Sequence, residues 1–202
     1  MKNYIHQDKG SISIGACMIG MLLFMLLILS TTLFLNHYHM ISSHLDSIKA
    51  YYLAESGIDE GLYYCSNKIE EIVSIYLKDR KEYQINYTKS IEKNITIDYK
   101  PPVLYDYFSK NFIPQIQSYK KTNKNPFYNY NLNHSYETQI LCNKSNEGMC
   151  ILIESLGIYN YSKKYIKAVI SLPKEESFEE DLNSLPIIKI SPLQIKDYFQ
   201  YY

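Results

Sequence analysis

The side chains capable of chemistry are few and widely spaced. His37, His39 and His44 fall close together, but on a helix only His37 and His44 share a face, so a three-histidine metal site would require breaking the helix. None of the cysteines, at positions 17, 65, 142 and 150, forms the close Cys-x-x-Cys pair that a structural metal prefers. Cys142 and Cys150 stand at facing ends of a predicted hairpin, which suits either a cross-strand disulfide in an oxidising space or two reduced, buried thiols. Glu55 is a helical carboxylate with no His, Ser or Cys in register beside it, the pattern of a solvated or ion-paired face. A phosphate-cradling glycine loop, a His-Glu-x-x-His and a Gly-x-Ser-x-Gly are all absent from the sequence. Only Gly148 and Gly157 follow Gly61, which leaves little backbone material for a loop-built active site. The expectation is a protein with no catalytic residues, no metal and no cofactor. One short pattern does suit a reaction: Lys9-Gly10-Ser11 puts small residues at the start of an apolar block, where a peptidase at the cytoplasmic membrane face would need them.

The elements around that pattern follow from the charge distribution. The chain has 202 residues, 21 Lys+Arg and 21 Asp+Glu, yet no charged side chain occurs from Gly10 to Leu45. Within that block Ile12–Leu35 gives 24 uncharged, mostly apolar residues, about 36 Å as a helix and enough to cross a bilayer. Lys2 and Lys9 precede it and Asp46 is the first charge after it, so the positive-inside bias puts the short N-terminus in the cytoplasm and the remainder outside. A cleaved secretory signal would have a shorter apolar core and an Ala-x-Ala-like site after it; here the run is longer and no such site follows. A retained anchor is expected.

The charges outside the block cancel only in total: residues 1–77 carry four basic and seven acidic groups, 78–134 ten and five, 135–173 four and three, and 174–202 three and six, so the main basic excess lies in 78–134. That is too modest for a nucleic-acid-binding domain, which needs a concentrated positive face. The basic middle does interleave lysines with tyrosines (Lys110, Tyr119, Lys120, Lys121, Lys124, Tyr128, Tyr130), a composition that can hold single strands by stacking or form a solvated surface loop. No nucleic acid is expected as a partner.

No proline occurs before Pro101, so one helix is predicted from residue 11 to about residue 77. In its outer half Ala50, Ala54, Gly57 and Gly61 recur at helical spacing within a narrow arc, extended by Cys65, Ile69, Ile72 and Tyr76, while Glu55, Asp59 and Glu70 take the other side. A stripe of small residues lets another backbone come close, and each glycine costs the helix about 1 kcal/mol relative to alanine, which close packing would offset. Two partners fit the stripe: the protein's own sheet, or helices of neighbouring subunits.

Lys9-Gly10, a small residue next, an apolar helix and then the string Ala50–Leu62 (AYYLAESGIDEGL) resemble the N-terminus of PilX-type minor pilins of bacterial type IV pili. The resemblance covers roughly residues 9–65, and Tyr52-Leu53-Ala54-Glu55-Ser56-Gly57-Ile58 is its most specific part. A weaker echo is Ile153–Tyr159 followed by Lys164–Leu172, similar to the strand-turn-strand ending of such ectodomains. The resemblance implies a type IV pilin-like fold and cleavage after Gly10 by a prepilin peptidase, with N-methylation of Ser11. It also implies packing on other pilins through the N-terminal helix and contact with an inner-membrane pilus assembly platform. Major pilins carry a Glu five residues into the mature chain; Gly15 stands here, which points to a minor or tip-associated subunit. Without that carboxylate, assembly within the membrane would rest on packing.

The remainder divides into an ectodomain over residues 78–172 and an acidic tail over 173–202. Residues 85–99, with the alternating NITIDY, read as a strand, and Val103–Tyr119 as a short helix. Tyr136–Cys142, Met149–Ser155 and Tyr165–Leu172 read as three strands joined by turns at Asn143–Gly148 and Gly157–Lys164, an antiparallel meander. Laying that sheet across the apolar arc of the helix buries both and gives an α+β architecture. The tail, rich in Glu and broken by Pro186 and Pro192, suits a charged linker, with Ile187–Ile190 as a candidate edge strand.

Taken together, residues 1–10 read as a leader, 11–77 as the long helix with 12–35 in the membrane, and the rest as an extracytoplasmic domain reaching the pilus or cell surface. The leading expectation is a minor pilin or pseudopilin-like subunit of a type IV pilus or a related secretion or competence fibre. The alternatives are an uncleaved single-pass membrane protein with a ligand-binding ectodomain, and a DNA-uptake pilin.

Overall fold

A computed structural model of the chain describes residues 5–93, 100–145, 148–178 and 187–201. The chain divides into two compact units, Met1–Leu45 and Asp46–Tyr202. Helix α1 (Ile5–Glu92) supplies all the described structure of the first and the helical backbone of the second.

In the first unit the large apolar side chains from Ile12 to Leu35 all stand open, from 50% exposure at Ile28 to 72% at Phe34. The segment is one helix long and apolar enough to cross a membrane. Its two threonines turn their polarity inward: Thr31 Oγ1 donates to the Leu27 and Ile28 carbonyls at 3.0 and 2.9 Å, and Thr32 Oγ1 donates to the Ile28 carbonyl at 2.8 Å. Neither threonine hydroxyl then has a hydrogen left to seek water from within an apolar medium.

In the second unit α1 runs past the predicted end near residue 77 to Glu92, taking in residues 85–92 that alternation had marked as a strand. The reason is local: 78–92 contains no Gly or Pro and is rich in Lys, Glu, Arg and Gln, Tyr83 and Tyr87 stack one turn apart at 6.0 Å, and Lys89 sits in the last turn against the helix dipole. The NITIDY stretch lies outside the described residues. Next come α2 (Leu104–Tyr107), a π-helical turn (Phe108–Phe112) and α3 (Ile113–Ile116), continuous helical backbone where a short helix was expected. The widened turn precedes Pro114, whose ring and missing N–H forbid the ordinary bond to the carbonyl four residues back. Leu104, Phe108, Phe112 and Ile116 follow at four-residue intervals and are all buried.

The strands are β1 (Lys120–Lys124), β2 (His134–Ser145), β3 (Gly148–Tyr159), β4 (Ser162–Ser171), β5 (Glu175–Phe178), β6 (Ile187–Ile190) and β7 (Gln194–Tyr201). Antiparallel pairing builds a five-stranded sheet in the order β1-β2-β3-β4-β7, and β5 and β6 form a separate antiparallel pair. The three predicted strands are its centre, β2 to β4. The tail is built in, not free: Ile187–Ile190 is β6, and β7 becomes an edge of the main sheet, with a register shift opposite Val169 and Ile170.

Inward-facing Ile140, Ile151, Ile153, Ile166, Ala168 and Ile170 are fully buried against α1 and the α2–α3 segment. The architecture is α+β, a long N-terminal helix packed, over its part in the second unit, on a small antiparallel sheet.

Candidate functional site

The small-residue stripe of α1 is the seam between helix and sheet. Ala50, Ala54, Gly57 and Gly61 are all buried. A β-carbon added to Gly57 would overlap Ser155 Oγ and come within 2.6 Å of Thr138 Oγ1, and one added to Gly61 would come within 2.7 Å of Ile153 Cγ2. On the sheet side, a β-carbon on Gly157 would overlap the Ala50 carbonyl oxygen and the Ala54 nitrogen. The seam is therefore backbone against backbone, and its glycines are required by the approach itself. Of the two partners open to the stripe, the protein's own sheet occupies it.

That approach explains a difference from the expected turns. Gly157 continues β3 as far as Tyr159, and the turn is the two residues Asn160–Tyr161, with Asn160 in the left-handed region at φ 54°. Thr138, Ser155 and Gly157 share inward parity with Ile140 and Ile153, so a run of small residues at core positions was the signal of a close helix.

Polar groups lock the seam at both ends and in the middle. Thr138 Oγ1 donates to the Gly57 carbonyl at 3.0 Å in the buried interior. Glu60 accepts hydrogen bonds from Lys121 Nζ, from Asn123 Nδ2 at 2.9 Å and from the Tyr136 hydroxyl at 2.9 Å, tying β1 and β2 to the helix. Burial raises the pKa of the Tyr136 phenol; the Asn123 hydrogen bond lowers it and the Glu60 carboxylate raises it further. At one end Lys49 Nζ donates to the Tyr159 hydroxyl at 3.1 Å and stands over that ring at 4.6 Å. At the other, Glu175 of β5 pairs with Arg80 at 3.0 Å and accepts from the Tyr76 hydroxyl at 2.7 Å and the Leu104 N–H at 3.2 Å. Desolvation first, and the Glu175 carboxylate second, push the Tyr76 phenol up to about 12. Sequence reasoning missed Glu60, Arg80 and Glu175, whose partners lie far away in the chain and leave no local spacing to read.

His134 is buried at the start of β2. The Phe127 N–H donates to its Nε2 at 3.0 Å, so Nδ1 carries the proton and donates to the Leu132 carbonyl at 2.8 Å. Phe127, Tyr130 and Tyr159 pack around the ring.

The remaining sequence candidates fall apart in space. Gly10 and Ser11 lie in the early turns of α1, just ahead of the apolar segment. Gly15 and Gly20 have nothing within 4 Å of where a β-carbon would stand. The cross-strand disulfide is not formed: Cys142 is in register with Ile151 and Asn143 with Cys150, a one-position offset that sends the two side chains to opposite faces of the sheet. Cys65 is buried in the core, and burial pushes its thiol up to about 12. Glu55 and Asp59 lie beside β7: the Tyr198 phenol, about half exposed, is raised by partial desolvation, by a hydrogen bond with Tyr51 and by those two carboxylates. Of the basic middle, Lys120 pairs with Glu137 and Lys121 with Glu60, so part of its charge is committed within the fold. Among the described residues no three His, Cys, Asp or Glu side chains converge.

The arrangement holds a sheet rigidly on one arc of a helix and leaves the opposite arc, with Tyr52 and Tyr63, open to solvent. Compared with known proteins, the chain matches no family model, no curated protein and no solved structure.

Proposed function

We propose that this protein is a minor pilin or pseudopilin-like subunit of a type IV pilus or related secretion or competence fibre. A prepilin peptidase cuts after Gly10, Ser11 is N-methylated, and the apolar segment holds the subunit in the membrane with its sheet-bearing unit on the extracytoplasmic side. From there it enters, or primes, the fibre through its N-terminal helix, engaging other pilins and the inner-membrane assembly platform.

The observation that carries the proposal is the joint occurrence, in one helix, of Lys9-Gly10-Ser11 directly ahead of an apolar span and of a distal part packed on an antiparallel sheet. The sheet already fills the Ala50–Gly61 arc, so contacts with neighbouring helices fall to the apolar segment, where Gly15 and Gly20 leave room for close approach, and to the arc of Tyr52 and Tyr63. Gly10→Val tests the processing step. It is expected to block cleavage and fibre assembly; unchanged processing and assembly would argue instead for an uncleaved single-pass protein.

A further inference from the structure

We propose that the end of the second unit at which the chain enters is a lipid-contacting surface, in which Tyr128, Leu132 and Tyr161 seat in the interface of an anionic bilayer and Lys124 and Lys163 meet its headgroups. The proposal rests on the reading of Ile12–Leu35 as a membrane span.

Two connections meet at this end. The β1–β2 loop and the β3–β4 turn are joined by the Asn160 N–H donating to the Asn133 carbonyl at 3.1 Å, and Asn160 Nδ2 donates to Asp46 Oδ2 at 3.0 Å, fixing the turn to the first residue of the unit. Underneath, Tyr130 and Tyr159 pack edge to face at 5.2 Å. On this firm base Tyr128 and Tyr161 are each 94% exposed, further out than any other large apolar or aromatic side chain described, and Leu132 is 47% exposed.

A tyrosine has an apolar ring and a polar tip, and it concentrates where one side of it is apolar and the other wet. On a held backbone these two rings bury almost none of their apolar faces in the protein, while their hydroxyls remain suited to a wet boundary. The flanking charge has the sign that attracts anionic lipid: Lys124 and Lys163 are exposed, and the local acid, Asp46, is engaged by Asn160. Position favours the same occupant. Ten residues separate Leu35 from Asp46, so even fully extended the chain holds this end within about 40 Å of the apolar segment.

The chain contains no tryptophan, so single-Trp variants of the full-length protein in bilayers of brominated phospholipids read depth directly. Four are needed: Tyr128→Trp and Tyr161→Trp at the proposed surface, Phe24→Trp within the apolar segment, and, as a control, the exposed Tyr105→Trp in α2, which starts two residues after Pro102, whose carbonyl accepts a hydrogen bond from Arg80 of α1 at 3.4 Å. Arg80 lies roughly 50 Å along α1 from Asp46. In bilayers containing anionic lipid, the Tyr128→Trp and Tyr161→Trp reporters are expected to be quenched at least about two-fold more than Tyr105→Trp. Adding Lys124→Gln and Lys163→Gln is expected to lower that quenching. Quenching of Phe24→Trp with none above the Tyr105→Trp level at the two loop reporters would overturn the lipid-contacting surface while leaving the membrane span intact. No quenching of Phe24→Trp would overturn the span and, with it, the surface. Loop quenching indifferent to lipid charge and to the lysine changes would overturn the headgroup contact.

Discussion

Gly157 of β3 lies against Ala54 of α1 so closely that a β-carbon on the glycine would overlap the helix backbone. Helix and sheet meet there without intervening side chains. Gly157→Ala should force the elements apart and cost about 3 kcal/mol or more, at the upper end of overpacking effects. Denaturant unfolding should show a lower midpoint, and an unchanged midpoint would mean that the seam is looser than described.

Gly57 offers a cleaner test, because it sits mid-helix, where alanine alone would stabilise by about 1 kcal/mol. Against that gain stand Thr138 and Ser155, and Ser155 Oγ is buried with no hydrogen-bond partner. Ser155→Ala should be neutral or stabilising by up to about 1 kcal/mol, Gly57→Ala destabilising by about 1–3 kcal/mol, and the double variant less destabilised than the sum by more than about 0.5 kcal/mol. Additive effects would show that the two positions do not touch.

How much of this was legible before the structure depends on what periodicity can encode. The stripe of Ala50, Ala54, Gly57 and Gly61 was visible, because helical spacing fixes an angle; its occupant was not, because an angle does not name a partner. The central strands were visible from alternation and turn residues. β7 was hidden because none of its side chains is buried, so it shows no alternation, and because the acidic stretch and Pro186 and Pro192 ahead of it read as a linker. The Cys142–Cys150 disulfide failed by one position of register, which loop length alone does not fix. Gly157 read as turn material because glycine usually is, and only the approaching helix makes it a strand residue.

Alkaline stability should report Tyr76. Its folded pKa is raised to about 12, so its contribution is fully present below the ordinary tyrosine pKa of about 10 and is lost as the pH climbs toward 12. Tyr76→Phe should be less stable than the parent at neutral pH, having lost the bond to Glu175. It should also show a shallower decline between about pH 10 and 12, the difference amounting to no more than about 2 kcal/mol. Parallel curves for the two proteins would contradict the assignment.

At the acid side Glu154 gives the opposite sign. Desolvation would raise its carboxyl pKa, but hydrogen bonds from Lys167 and Tyr165 outweigh it and hold the pKa low. Its stabilisation is present above the ordinary glutamate pKa and fades as pH falls through the folded value. Glu154→Gln should flatten the acid limb of the stability curve slightly, by less than about 1 kcal/mol for an ion pair at the sheet surface. A steepened limb would contradict the pairing with Lys167.

Thiol labelling tests the core. Cys65, buried and pushed up to about 12, should resist alkylation near neutral pH in the folded chain and react once denatured. Cys142 and Cys150 project from opposite faces of the sheet, so mapping the alkylated peptides should show no bridge between them before reduction. A recovered Cys142–Cys150 cross-link would require a different β2–β3 register.

The mass of the intact chain isolated from membranes of cells with an active prepilin peptidase decides the central claim. The expected species begins at Ser11, carries one methyl group on its amino terminus and lacks residues 1–10. A chain that retains Met1 under those conditions would contradict it.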